Sequence, residues 1–141
     1  MLSHVEFVSN AFPIEQSEKE LLSDGQFGLS LANFLFNSLT TQGIPAEQPE
    51  SEDWGWRIPI LNTEFPLWIG VGNYEEYPNG FLCFIEPSVP SLRQFPFFWK
   101  KISTESAVSR IQHAINDALG SRDDIENILW RTIDEFHESD S

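Results

Sequence analysis

A chain of 141 residues, 40% of them hydrophobic, fits one domain that buries its own core without help from a disulfide or a metal. Its formal net charge of −14 argues against direct binding of phosphate backbones or anionic membranes, which are recognised by clustered Lys and Arg. Twelve Phe and five Trp supply too much apolar area for a disordered chain.

In chain order, residues 5–13 predict a first strand ending at Pro13. A charged loop over 17–25 follows. Phe27, Leu31, Phe34, Leu35 and Leu39 then recur at helical spacing up to a stop at Gly43, which predicts a helix with its apolar stripe on a sheet. Residues 44–53, with two prolines and four acids, predict a loop leading to a strand over 54–61, where Pro59 asks for an edge or a bulge. Further strands are expected at 67–72 and 81–85, joined through Tyr77-Pro78-Asn79-Gly80, a hairpin signal because Asn and Gly tolerate positive φ.

A proline-broken aromatic segment over 87–99 precedes a second helix that starts near Ser103 or Thr104. Its apolar face is Val108, Ile111, Ile115, Ala118 and Leu119, and Gly120 ends it. A third helix is expected from Ser121, with Asp123 and Asp124 at its start and a stripe of Ile125, Ile128, Leu129, Thr132, Ile133 and Phe136. Residues 137–141 predict a frayed tail after a single domain over 1–136. The order β-α-β-β-β-α-α predicts an α+β, two-layer domain, an antiparallel sheet of about four strands with helices packed on one face.

Chemical motifs are few. Gly70 and Gly72 lie inside a strand pattern rather than a phosphate loop, and His4, His113 and His137 have no metal-ligand spacing, so neither cofactor nor metal is expected. His113 and Asp117 are one helical turn apart and predict a surface hydrogen bond. Cys83, within Phe81-Leu82-Cys83-Phe84-Ile85, reads as a packing residue. The N-terminus has no secretory pattern and no apolar run nears the ~20 residues of a membrane span, so the cytosol is the expected compartment.

The conspicuous element is Glu50-Ser51-Glu52-Asp53-Trp54-Gly55-Trp56-Arg57. On a strand, Trp54 and Trp56 share one face while Asp53, Gly55 and Arg57 share the other. Asp53 and Arg57 would then stand about 13 Å apart and need other partners, for which Glu86 and Arg93 are the candidates. The tentative binding set is Glu50, Glu52, Asp53, Trp54, Trp56 and Arg57. Two functions compete. One is a non-enzymatic acidic binding domain, an inhibitor whose carboxylates meet a basic protein partner with aromatic anchors. The other is a small hydrolase using Glu52 and Asp53 as acid and base on a carbohydrate or other polar ligand, although successive strand residues diverge. Neither reading specifies an oligomeric state.

Through Glu52-Asp53-Trp54-Gly55-Trp56, the helix Phe27-Gly28-Leu29-Ser30-Leu31-Ala32-Asn33-Phe34-Leu35 and the strand Trp68-Ile69-Gly70-Val71-Gly72, the chain resembles a group of small uncharacterised bacterial proteins. The resemblance covers about the first two thirds of the chain and implies no particular reaction. Its character is that of bacterial immunity proteins, which bind and block a toxin.

Overall fold

The computed structural model describes residues 1–13, 28–74, 77 and 79–139. The expected loop over 17–25, together with Phe27 and Pro78, lies outside them. Among the described residues the chain forms β1 (His4–Ser9), α1 (Leu29–Thr41), β2 (Glu50–Glu52), β3 (Gly55–Ile60), β4 (Leu67–Asn73) and β5 (Gly80–Glu86). There follow β6 (Ser91–Leu92), β7 (Ile102–Ser103), α2 (Glu105–Gly120), β8 (Ile125–Arg131) and α3 (Ile133–Ser139).

The domain is α+β, and its sheet is larger than the expected four strands: six antiparallel strands run in the order β2-β3-β4-β5-β1-β8, and β6 and β7 pair as a separate ribbon. Both added strands of the main sheet come from segments with another expected state. β2 forms within the acid-rich segment 44–53. β8 occupies the middle of the expected third helix, of which only the short α3 is helical, and it runs through Ser139.

The spacing of Ile125, Ile128, Leu129 and Ile133 suits a helix locally, but β1 offers an open edge that a strand can fill with ladder hydrogen bonds. The register shifts between Glu6 and Val8, and Asn127 opposite this irregularity has φ 58°, a left-handed conformation that Asn tolerates and a helix interior excludes. Ile125 and Trp130 are thereby the β8 residues that pack on the core.

Alternation assigns the two faces of the sheet. Val5 and Phe7 of β1, Ile58 and Ile60 of β3, Leu67, Ile69 and Val71 of β4, and Phe81, Cys83 and Ile85 of β5 are all buried. They meet Leu31, Ala32, Leu35 and Leu39 of α1 and Val108, Ile111, Ile115 and Leu119 of α2. These two helices pack on each other and on one face of the sheet. Burial pushes the Cys83 thiol far up in pKa, in keeping with a packing role. Pro59 sits where β2 no longer pairs with β3, and its carbonyl accepts from the Glu47 amide at 2.9 Å. The strand is not the edge expected of it, since β3 lies between β2 and β4 and the 45–47 segment bridges to it beside Pro59.

Candidate functional site

The opposite face of the sheet carries His4 and Glu6 of β1, Arg57 of β3, Trp68, Gly70 and Gly72 of β4, Leu82, Phe84 and Glu86 of β5, and Leu129 and Arg131 of β8. Glycine makes room for rings here. A Cβ on Gly70 would lie 2.2 Å from the Phe84 ring, so the absence of a side chain lets Phe84 lie across β4.

Trp54 reaches the same face from outside the strand. Glu52 pairs with Gly55, so Asp53 and Trp54 form the two-residue turn between β2 and β3. Gly55 leaves the turn with φ 152°, and a Cβ there would stand 2.2 Å from the Val71 carbonyl oxygen. Only glycine suits both the dihedral and the approach. The turn lays the Trp54 indole over Trp68 (5.8 Å between centroids, 30° between planes) and beside Phe84 (5.3 Å), while Trp68 and Phe84 meet edge to face at 5.6 Å. The Arg57 guanidinium lies 5.0 Å from the Trp68 ring centre.

This arrangement corrects the sequence reading. Trp54 and Trp56 do not share a face. Trp56 packs partly buried against the core, whereas Trp54 is 39% exposed on the open face. Strand alternation begins only at Gly55, so it could not relate the two indoles. Neither expected pairing, Arg57 with Glu86 or Asp53 with Arg93, forms an ion pair among the described residues. Arg93 donates to the carbonyls of Phe98 and Trp99, and Glu86 accepts from Ser88 Oγ at 3.4 Å. Arg57 instead spends its charge on the Trp68 π-face, and its buried Nε has no hydrogen-bond partner. Burial pushes the Glu86 carboxyl above its usual range, against the hydrogen bonds from Ser88.

Trp54, Trp68, Phe84, Leu82, Tyr74 and Gly72 border a groove of about 440 Å³. Gly72 leaves its floor open, since a Cβ there would meet nothing closer than the Trp54 carbonyl at 3.7 Å. Carboxylates edge this end of the sheet: Glu50 stands opposite Arg57 in register, Glu52 opposite Gly55, and Asp53 is exposed in the turn. Neither Glu52 nor Asp53 lines the groove.

Tyr74 also borders a second depression of about 520 Å³ that includes Glu6, Leu129, Arg131 and Phe136. There the Tyr74 hydroxyl donates to Glu6 Oε2 at 2.8 Å, and Arg131 pairs with Glu6 Oε1. His4 is sandwiched between Phe136 of α3 (4.7 Å) and Phe84 (5.7 Å), and burial, with His137 nearby, lowers its pKa to about 4 against the opposing pull of Glu6.

The open-face residues Trp68, Phe84, Tyr74, His4 and Arg131 escaped the sequence reading. A signal existed in Trp68-Ile69-Gly70-Val71-Gly72, where one face of a strand carries a ring followed by two glycines. Among the described residues no His, Cys, Asp and Glu side chains group to hold a metal ion, and no helix is long and apolar enough to cross a membrane. Compared with protein-family models, with curated proteins and with solved structures, the chain matches none.

Proposed function

We propose that this protein is a non-catalytic binding protein of the inhibitor or immunity type, which takes a basic protein partner on the open face of its sheet. The observation that carries this reading is Trp54, part-exposed and stacked over Trp68 and Phe84, at an edge that also bears Glu50, Glu52 and Asp53. A rigid indole beside an apolar groove is the type of side chain that dominates binding energy, and carboxylates around it raise the encounter rate with a cation-rich surface. The net charge of −14 acts in the same direction, and the resemblance to small bacterial proteins of immunity character agrees with it. The hydrolase alternative gains less: Glu52 and Asp53 lie on an edge strand and its turn, outside the groove that would shelter a substrate.

The test is capture from a lysate of the source cells at low and high salt, using wild type, Trp54→Ala and Glu50→Lys/Asp53→Lys as baits. The expected result is one basic protein, released at high salt and recovered at least about tenfold less by both variants, the size of effect that losing a central anchor produces. Purified, that protein should be toxic when expressed alone and harmless when co-expressed with this chain. Equal recovery by all three baits would remove the open face from the reading.

A further inference from the structure

Among the described residues the two most exposed aromatic side chains lie in the loop between β6 and β7, none of whose residues borders this groove. Phe95 is 82% exposed and Trp99 76%, and Phe97 and Phe98 are both more than half exposed. The loop is built rather than slack. The β6–β7 pairing closes its base, Arg93 Nη1 donates to the carbonyls of Phe98 and Trp99 (both 3.1 Å), and Gln94 Nε2 donates to the Glu64 carbonyl at 2.8 Å. The rings brace one another, Phe97 against Trp99 at 5.3 Å and Phe95 against Phe98 at 6.1 Å. Four preorganised rings on a loop tip form an exposed apolar patch that meets a partner at low entropic cost.

The charge of the loop is opposite to that of the rest of the chain. Residues 87–104 contain no acid and hold Arg93, Lys100 and Lys101, three of the eight basic residues. Their complement is an aromatic groove edged by carboxylates, and this chain carries one at Trp54, Trp68 and Phe84, beside Glu50 and Asp53. We propose that the loop of one copy docks in the open-face groove of a second copy, with its rings on Trp54 and Trp68 and Lys100 and Lys101 against Glu50 and Asp53. Two such contacts related by a two-fold axis close a dimer. Pairing of loop with loop would instead bring four lysines together. The inference rests on reading the groove as a recognition site, and it makes the chain's own loop a competitor for any foreign partner.

Sedimentation of the purified full chain from low to high micromolar concentration tests it, with charge-swapped variants. The wild-type mass should rise from one chain towards two. Lys100→Glu/Lys101→Glu alone and Glu50→Lys/Asp53→Lys alone should each weaken association at least tenfold. Their equimolar mixture should restore it, because every loop then faces a groove of opposite charge. That recovery also shows both variants to be folded. A one-chain mass for wild type throughout, or a dimer indifferent to the groove substitutions, overturns the proposal. Partner capture with a monomeric wild type removes this inference alone, whereas self-association without partner capture removes only the foreign basic partner.

Discussion

Gly55 ties the most distinctive sequence feature to the candidate site. Its positive φ and the close approach of the Val71 carbonyl allow the Asp53-Trp54 turn to fold the indole onto Trp68. Gly55→Ala should therefore destabilise the domain by about 2 kcal/mol or more, through backbone strain and overlap with a carbonyl that cannot move without disturbing β4. Thermal unfolding reads the loss, and near-ultraviolet circular dichroism should show a weakened Trp54–Trp68 contribution. The motif was legible as unusual, but the direction of its side chains was not. The alternation rule relates residues of one strand, and Trp54 belongs to a turn.

At the scale of elements, the segment 121–136 separates what local pattern decides from what pairing decides. A helix would bury Leu129 with Ile125, whereas in β8 Leu129 is 49% exposed and Trp130 turns towards the core, with its Nε1 donating to Asn116 Oδ1 at 3.0 Å. Leu129→Ala should accordingly cost less than about 1 kcal/mol, while Ile115→Ala, in the fully buried stripe of α2, should cost about 2–4 kcal/mol. Urea unfolding of the two variants distinguishes strand from helix at this position without a new structure. The two long helices were readable because their stripes repeat over several turns and end at Gly43 and Gly120. β2 was not, because a short, polar edge strand has no alternation to read and exists only through its pairing with β3.

For the molecule as a whole, layer packing sets a pH dependence that composition does not. His4 lies between Phe84 and Phe136, and its pKa of about 4 in the fold is below the 6.5 of the unfolded chain. Between those values the unfolded state binds a proton that the native state refuses, so stability falls as pH drops through this window, by up to about 1.4 kcal/mol per pH unit. Glu86, raised by burial, acts in the opposite sense. The comparison that isolates His4 is urea unfolding of wild type and His4→Gln between about pH 7 and pH 5, where the variant should show the smaller loss. The sequence alone determined that the chain folds as an α+β domain with two amphipathic helices against antiparallel strands, because these depend on periodicity within one element. It also determined an acidic surface, because charge is additive. The tertiary structure decided that six strands of the described residues pair in one sheet, that Trp54 crosses to the open face, and that the aromatic loop stands outside the core. Each depends on contacts between residues distant in the chain, where an open strand edge, a glycine under a ring or a carbonyl at a turn outweighs local preference.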